Sequence, residues 1–246
     1  MGEARSVTPR ALIVTPTFNE RANLERFVES VRAAAPEADL LIVDDNSPDG
    51  TGQLADEIAA RDPHVRVLHR PRKLGLGTAY VQAFTKGLEE GYELFFEMDA
   101  DGSHDPRYLG DFFRALAEGA DVVVGSRNIP GGGVEGWGLG RHVLSKGGSL
   151  YSRVILGVPV RDLTTGFKAF TRRALESIGL SDIRSNGYSF QIEMSYRALK
   201  RGLKVVEVPI VFVDRTIGQS KMSRRIFLEA VGVVWRLRLE SARGKL

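Results

Sequence analysis

Residues 11–20, ALIVTPTFNE, set the pattern from which the fold of this chain can be predicted. Residues 11–15 are mostly apolar and β-branched, which is typical of a buried strand. Between Leu24 and Val31, apolar residues recur with the i, i+3, i+4, i+7 spacing of an amphipathic helix, and Asn19 is placed to cap that helix. The segment therefore predicts a strand that is followed directly by a helix.

The same alternation continues along the chain. Strands are predicted at residues 40–44, 65–69, 94–98, 122–124, 167–170 and 205–213, and helices around residues 54–58, 78–88, 106–118, 142–156 and 188–201. Residues 131–140 contain six glycines and are expected to form a mobile loop, either a simple connector or a lid. Repeated strand and helix units of this spacing predict an α/β fold with a single, mostly parallel sheet flanked by helices.

Composition excludes several classes of protein. The chain has 246 residues, of which 43% are hydrophobic and 26% are charged, so a disordered or fibrous protein is excluded. The absence of cysteine excludes disulfides, thiolate zinc sites and thiol nucleophiles. Since neither a secretion signal nor a run of about 18 apolar residues is visible, we expect a cytoplasmic protein whose membrane contact is peripheral.

Positive charge is concentrated at the C-terminus. Residues 212–246 carry a net charge of +5, whereas residues 1–211 carry −2, a distribution that favours contact with phosphates or an anionic membrane over nucleic acid. Residues 222–240 form a helical pattern with a narrow charged stripe and an otherwise apolar surface. Such a helix lies in a membrane interface, docks on a membrane-embedded partner, or packs on its own core or a second subunit. We therefore expect one domain at residues 1–221 and a basic amphipathic C-terminal helix at residues 222–246.

Polar segments follow several of the predicted strands. In an open parallel sheet, ligands bind outside the carboxyl ends of the strands. Residues 16–20, 44–50, 99–101 and 125–127 occupy these positions and are rich in acidic, amide and hydroxyl side chains. Neither a GxGxxG nor a GxxxxGK[ST] motif is present, which argues against a nicotinamide dehydrogenase and against a P-loop enzyme.

Asp99 and Asp101 are the most informative of these residues. Residues i and i+2 at the end of a strand point to the same face, so both carboxylates can share one Mg²⁺ or Mn²⁺ ion together with substrate phosphates. In an arbitrary loop the same pair would be solvated, but here it follows a buried strand. Ser103 and His104 are candidates for a further ligand or a supporting bond, although a lone histidine here is more often solvated.

Asp44 and Asp45 allow two interpretations. Every residue of the segment 44–50, DDNSPDG, favours turns. A turn alone does not explain two adjacent acids at a strand end, where one carboxylate can accept hydrogen bonds from ribose hydroxyls or base nitrogens.

Seven segments together resemble the polyprenol (dolichol) phosphate mannose synthases, which are inverting glycosyltransferases with the A-type nucleotide-binding fold. In order and spacing, the matching segments are residues 16–20, 44–51, 99–101, 125–127, 162–167, 187–193 and 215–221. The most specific of them are DNSPDGT at residues 45–51 and the late R-x-x-G-x-S-K pattern at residues 215–221. The resemblance covers nearly the whole chain.

The resemblance implies a role for individual residues. The residues that would hold the guanosine of GDP-mannose are Pro16, Phe18, Glu20, Val43 and Asp45. The residues that would surround the metal ion and the diphosphate are Asp99, Ala100, Asp101 and Ser103, with Asp99 and Asp101 as metal ligands. Two positions depart from the family pattern, since Phe18 stands where many members have tyrosine and Ser103 stands where some have glutamine. The second departure argues against Ser103 as a direct metal ligand.

The remaining implied residues concern phosphate and sugar. Arg127, Arg215 and Lys221 match positions that surround phosphates in the family, and with Asp99 and Asp101 they form the expected catalytic set. Gln191 and Glu193 match the helix beneath the sugar pocket. The implied reaction transfers mannose from GDP-mannose to a polyprenyl phosphate at the cytoplasmic face of the membrane, with inversion and with Mg²⁺ or Mn²⁺. The chain would then be a peripheral protein at the inner membrane face.

Phosphate chemistry agrees with that reaction. A phosphomonoester has a second pKa of about 6, so the acceptor is largely dianionic near neutral pH and needs no general base. The enzyme mainly needs cations that hold two repelling phosphate groups together, a role that suits Arg215 and Lys221. Two alternatives stay open: a transferase that uses a UDP-sugar or a hydroxyl acceptor, for which Glu193 is the candidate base, and a non-catalytic subunit of a membrane glycosylation complex. The acid pair and the two cations argue against the non-catalytic subunit.

Overall fold

Seven strands form the main sheet of the computed structural model, which describes residues 9–136, 138–214, 224–244 and 246. The strands of the described residues are β1 (Ala11–Thr17), β2 (Asp39–Asp44), β3 (Val65–His69), β4 (Leu94–Glu97), β5 (Val122–Ser126), β6 (Gly133–Glu135), β7 (Lys168–Thr171), β8 (Val205–Pro209) and β9 (Val211–Val213), of which β6 and β9 form a small second sheet. The α-helices are α1 (Arg21–Ala34), α2 (Thr51–Ala59), α3 (Leu76–Glu89), α4 (Leu109–Ala117), α5 (Leu139–Leu156), α6 (Arg172–Ile178), α7 (Gly187–Lys200) and α8 (Arg224–Ala242). Short 3₁₀ turns cover Pro106–Tyr108 and Leu180–Asp182.

The order of strands in the main sheet is β3-β2-β1-β4-β7-β5-β8. All neighbouring strands pair in parallel except β7, which runs antiparallel to both β4 and β5. The predicted α/β fold with a mostly parallel sheet is therefore confirmed. The remaining two strands, β6 and β9, pair in parallel as a small separate sheet.

Apolar residues fill both faces of the main sheet. Because successive side chains of a strand point to opposite faces, Phe95 of β4 packs into one core cluster and Phe96 into the other. The first cluster is covered by α3, α5, α7 and α8, and the second by α1, α2 and α4. Burial on both faces explains why the strands read as continuous apolar runs in the sequence.

One loop prediction and one strand prediction need correction. The prediction of a mobile loop over residues 131–140 is wrong for three of these residues, which form β6 and pair with β9. The glycine there does not prevent the pairing, because backbone hydrogen bonds do not require a side chain. The single strand predicted at residues 205–213 is two strands: β8 belongs to the main sheet and β9 to the small one. Pro209 ends β8, and it has no N–H with which to continue a ladder.

Asn19 does not cap α1. Its φ of 61° places it in the left-handed region, and its N–H donates to Ser47 Oγ at 3.1 Å. Glu20 occupies the N-cap position without a side-chain cap bond, and its N–H donates to Thr51 Oγ1 at 3.0 Å. The loop after β1 is therefore held by the loop after β2, which local sequence patterns do not reveal.

The C-terminal helix α8 packs on α5 and α7. Val234 and Leu237 are fully buried in the first core cluster, and Arg236 Nη2 donates to Ser185 Oγ at 2.7 Å. Trp235 and Leu239 on the same helix are about half exposed. Among the described residues, no helix combines the length and the apolar character needed to cross a bilayer. The boundary between residues 1–221 and residues 222–246 stays a prediction.

We predict a large loss of stability on replacing Phe84 by alanine. The Phe84 ring is fully buried, and its centroid lies 5.7 Å from that of Tyr80, 5.7 Å from that of Phe95 and 5.9 Å from that of Phe170. Its removal leaves a cavity and should lower the free energy of unfolding by about 3–5 kcal/mol, measured by denaturant titration. Leu239→Ala, at a half-exposed position, is the control and should change it by less than about 0.5 kcal/mol. Equal effects of the two changes would contradict the assigned core.

Candidate active site

An open cleft of about 400 Å³ lies at the carboxyl ends of β1, β2 and β4. Parallel pairing brings these three strand ends to one edge of the sheet, as the sequence pattern predicts. Eight residues that the sequence analysis named line this cleft: Pro16, Phe18, Glu20, Asp45, Asp99, Ala100, Asp101 and Gln191. The segments after three different strands thus form one site.

Asp44 and Asp45 have different roles in the structure, one in the turn and one in the cleft. Asp44 forms the turn, because Ser47 donates its N–H to Asp44 Oδ2 at 3.1 Å and its hydroxyl to Asp44 Oδ1 at 2.6 Å. Asp45 lines the cleft, where its Oδ1 lies 2.8 Å from Arg70 Nε in a buried ion pair. Only the second carboxylate is placed to meet a ligand.

Arg70 and Lys73 were missed by the sequence analysis. Arg70 directly follows β3 and is almost fully buried, and Lys73 lies with its Nζ 4.2 Å from the centroid of the Phe18 ring. Burial raises the pKa of Asp45, and the charges of Arg70 and Lys73 partly oppose this rise. The strand-end rule would have found Arg70 had it also been applied to β3.

Asp99 and Asp101 lie together on the floor of the cleft and are held by their own loop. Ser103 donates its N–H at 3.1 Å and its hydroxyl at 2.5 Å to Asp101 Oδ1. The Asp99 N–H donates to His104 Nδ1 at 3.0 Å. Ser103 is buried and does not line the cleft, so it orients Asp101 from behind.

His104 is not the solvated histidine that the sequence suggested. Its ring is buried and stacks on Phe167, with 5.1 Å between the ring centroids. Burial lowers the pKa of His104 to about 4, so the imidazole is neutral at pH 7. A neutral Nδ1 can accept the Asp99 N–H, which fixes the backbone at the acid pair.

The two carboxylates suit Mg²⁺ or Mn²⁺ when a phosphate substrate is also present. Across the described ranges, no group of three or more His, Cys, Asp or Glu side chains is gathered for a metal. Mg²⁺ is usually held by one or two carboxylates together with substrate phosphates and waters, not by an all-protein cage. Asp99 and Asp101 in an open cleft are a donor set of that kind.

Arg127 lies beside the cleft and not in its lining. Its Nε donates to Asp162 Oδ2 at 2.7 Å and its Nη2 to Asp162 Oδ1 at 2.8 Å, in a bidentate pair that is almost fully buried. Burial alone would raise the pKa of Asp162, but the Arg127 guanidinium outweighs it and holds the pKa below its usual range. Arg127 also borders a neighbouring groove with Lys146 and Ser145.

Other named residues lie away from the cleft or outside the described structure. Val43 is fully buried in the core and Glu193 is 1% exposed, and neither lines the cleft. The Glu193 carboxylate accepts bonds from Arg197 Nε at 2.9 Å and Arg236 Nη2 at 3.0 Å, which disfavours it as a general base. Arg215 and Lys221 lie outside the described residues.

Gln191 and Gly166 border the same small space near the acid pair. A Cβ atom on Gly166 would stand 3.7 Å from Asp99 Oδ2 and 3.7 Å from Gln191 Nε2. The Gln191 side chain is buried and lies next to the buried carboxylate of Glu97. Gly166 was not assigned a role from the sequence, because its proximity to Asp99 depends on the pairing of β7 with β4.

Two relatives are about 50% identical to this chain in sequence. The chain is 50% identical over 242 residues to the polyprenol monophosphomannose synthase of Mycolicibacterium smegmatis, covering 96% of this chain and 91% of that protein. It is 49% identical over 222 residues to the undecaprenyl-phosphate mannosyltransferase of Micrococcus luteus, covering 90% of this chain and 91% of that protein.

Solved structures of similar fold include the glucosyl-3-phosphoglycerate synthase of Mycobacterium tuberculosis. Its complex with phosphoglyceric acid superposes with a TM-score of 0.68 at 18% identity, covering 93% of this chain and 80% of that one. A second complex, with Mn²⁺, uridine-diphosphate-glucose and phosphoglyceric acid, gives a TM-score of 0.67 at 19% identity, covering 94% and 80%. At this level of identity the likeness concerns the fold.

A family model assigns the chain independently of these pairwise similarities. The model described as glycosyl transferase family 2 matches residues 12–179, which include most of β1, all of β2 to β7, the acid pair and most of the cleft. Since this match covers more than half of the chain and the named relatives are half identical to it, this protein is a glycosyltransferase and belongs to glycosyl transferase family 2.

Proposed function

We propose that this enzyme transfers mannose from GDP-mannose to a polyprenyl phosphate, with inversion at the anomeric carbon and with Mg²⁺ or Mn²⁺ as cofactor. The observation that carries the proposal is the single cleft that joins Asp45 to Asp99 and Asp101. The two named relatives, a polyprenol monophosphomannose synthase and an undecaprenyl-phosphate mannosyltransferase, support the sugar and the acceptor class.

The nucleotide would lie at the end of the cleft where β1 and β2 terminate. Asp45 offers a carboxylate to ribose hydroxyls or base nitrogens, and Arg70 holds that carboxylate in place. Phe18 and Lys73 offer an aromatic face and a cation on the cleft wall. Pro16 and Glu20 complete this end of the cleft, and Val43 supports it from the core.

The diphosphate would lie at the acid pair. Asp99 and Asp101 would hold Mg²⁺ or Mn²⁺, and the bound ion supplies positive charge that stabilises the departing diphosphate. Ser103 and His104 keep the two aspartates oriented toward that position. Arg127, Arg215 and Lys221 are proposed as further phosphate contacts, and the last two lie outside the described residues.

The acceptor phosphate would act as the nucleophile without a general base. With a second pKa of about 6, it is largely dianionic at neutral pH. One of its oxygens forms a bond to the anomeric carbon while the bond from that carbon to the β-phosphate oxygen breaks, and the electron pair leaves with GDP. The engagement of Glu193 by Arg197 and Arg236 supports a reaction without a carboxylate base.

The surface formed by α5 and α8 is proposed to contact the membrane. In the part of the chain that the structure describes, four of the six large exposed apolar side chains lie on these two contacting helices: Leu150, Val154, Trp235 and Leu239. A groove of about 440 Å³ beside Leu150 is bordered by Lys146, Arg153 and Arg161. Apolar side chains beside cations suit an anionic membrane at its cytoplasmic face, and a membrane-embedded partner protein is the alternative occupant.

The donor and acceptor are tested by offering sugar nucleotides to the purified protein. We expect a glycolipid to form from GDP-mannose with a polyprenyl phosphate and Mn²⁺ or Mg²⁺, detected by mass spectrometry. GDP-glucose and UDP-sugars should give far less product. Preferred use of a UDP-sugar, or transfer to a hydroxyl acceptor, would replace the proposed substrates with those of the alternative transferase, and no transfer from any donor would favour a non-catalytic subunit.

Replacing Asp101 by asparagine should abolish most of the transfer. Loss of one principal electrostatic contact to the metal and diphosphate is expected to raise the barrier by about 3 kcal/mol, which is roughly a hundredfold in kcat. Asp105→Asn, in the same loop and paired with Arg107, is the matched control and should keep nearly full activity. Unchanged turnover in the Asp101 variant, measured under saturating Mn²⁺, would exclude the metal role.

Membrane contact is tested with vesicles of anionic phospholipid. The double substitution Leu150→Glu and Val154→Glu places two negative charges on the exposed face of α5, so co-sedimentation with the vesicles should fall several-fold. Ser30→Glu with Ala33→Glu, exposed on α1 at the opposite face of the sheet, carries the same change of charge and should leave it unchanged. Binding to vesicles that is equal in both variants would assign the surface to another occupant.

A further inference from the structure

Two fully buried charges lie in the main sheet next to the cleft, and the proposed reaction uses neither of them. Glu97 of β4 and Lys168 of β7 are opposite one another in the antiparallel register, and both are 0% exposed. Burial lowers the pKa of Lys168 to about 8, against the opposing charge of Glu97. The fold therefore keeps both ionisable side chains away from water.

Stability alone does not account for these two side chains. Buried charges are costly to desolvate, and replacing a buried pair with apolar residues of similar size is often neutral or stabilising. The polar neighbours that act on the Glu97 carboxylate are the Lys168 ammonium group and the Gln191 side chain. An apolar pair at these two positions would stabilise the sheet at least as well.

Lys168 connects this part of the sheet to the helix that borders the cleft. Its Nζ donates to the main-chain oxygen of Gln191 at 2.6 Å, and the Ser195 hydroxyl donates to the same oxygen at 3.1 Å. Glu97 stands two residues before Asp99 on the same stretch of chain. The two charges thus join the strand that leads to the acid pair with the helical turn that carries Gln191.

The Gln191 amide faces the place where the sugar of the donor would begin. It lines the cleft with Asp99, and both border the space that Gly166 leaves open. Its buried neighbour is the Glu97 carboxylate, and since an amide has two N–H donors and one oxygen acceptor, hydrogen-bonding positions remain for a ligand hydroxyl. A hexose attached to a diphosphate at the acid pair carries such hydroxyls.

We propose that Lys168 and Glu97 are positioning residues, which hold the Gln191 amide against the hydroxyls of the donor sugar. This inference rests on the proposed function for the identity of the sugar. Lys168 fixes the main chain of Gln191, and Glu97 keeps the ammonium group of Lys168 charged and directed to that point. The nucleotide end of the cleft is formed by Asp45 after β2 and Arg70 after β3, and it is expected to be independent of this connection.

The first test compares Lys168→Met with the double variant Glu97→Gln and Lys168→Met. In the single variant, kcat should fall about tenfold to a hundredfold because the reacting sugar is misplaced, while the dissociation constant for GDP stays unchanged. Removing the uncompensated carboxylate in the double variant should restore the unfolding temperature without restoring kcat. Recovery of kcat together with the unfolding temperature would overturn the proposal, and so would a loss of GDP affinity as large as the loss of kcat. If Lys168→Met does not fold, Glu97→Gln, which keeps the shape of the side chain, is compared with wild type in the same assays.

The second test asks whether Lys168 acts through Gln191. Gln191→Ala should weaken binding of GDP-mannose, relative to GDP, by the same factor as Lys168→Met, and combining the two should add no further loss. Multiplying losses would show separate roles and overturn the proposal. Arg197→Met is the control, since Arg197 is a buried cation on the same helix that bonds to Glu193 and not to Gln191. It should lower the unfolding temperature and leave the ratio of the two affinities unchanged.

These measurements stay distinct from the test of substrate identity. Should the wild-type enzyme prefer another sugar nucleotide, that compound and its nucleoside diphosphate replace GDP-mannose and GDP in the binding comparison. The proposed function would then be wrong in its substrate, while the connection from Lys168 to Gln191 would still be confirmed or refuted by the coupling of the two substitutions.

Discussion

The site depends on the parallel pairing of β1 with its two neighbours. In register, Thr17 of β1 lies opposite Asp44 of β2, and Val14 of β1 lies opposite Glu97 of β4. Strands paired in this way end at the same edge, so the segments that follow them come together although they are far apart in the sequence. The hydrogen bonds from Asn19 to Ser47 and from Glu20 to Thr51 then tie the first two segments to each other.

The antiparallel strand β7 and the segment before it bring further residues to the cleft. It enters between β4 and β5, and the segment before it brings Asp162 and Gly166 to the edge of the sheet where the parallel strands end. Asp162 meets Arg127 after β5, Gly166 leaves space beside Asp99, and Lys168 reaches α7. One reversed strand therefore connects the end of the cleft that carries Asp99 and Asp101 with the helix that carries Gln191.

Buried polar groups around the cleft share a common arrangement, in which each cleft-facing group is held by a partner behind it. Arg70 stands behind Asp45, Ser103 behind Asp101, and His104 behind the backbone of Asp99. Such supporting contacts keep acidic side chains oriented before a ligand arrives, which lowers the reorganisation that binding requires. The same principle extends to Gln191, whose main-chain oxygen accepts a bond from Lys168 and whose side chain lines the cleft.

The sequence by itself determined the alternation of strands and helices, the mostly parallel sheet, and the gathering of residues 16–20, Asp45, Asp99 and Asp101 at one edge. It could do so because apolar periodicity is local and because the ends of parallel strands share one edge whatever their order. Only the tertiary structure decided that β7 runs backwards, that residues 205–213 divide between two sheets, and that Asp44 makes the turn while Asp45 faces the cleft. It also decided that Arg127 pairs with Asp162 and that Lys168 bonds to Gln191, because both are contacts between segments that are distant in the sequence. The direction and the partners of a strand are likewise set by tertiary packing, which a local sequence pattern does not contain.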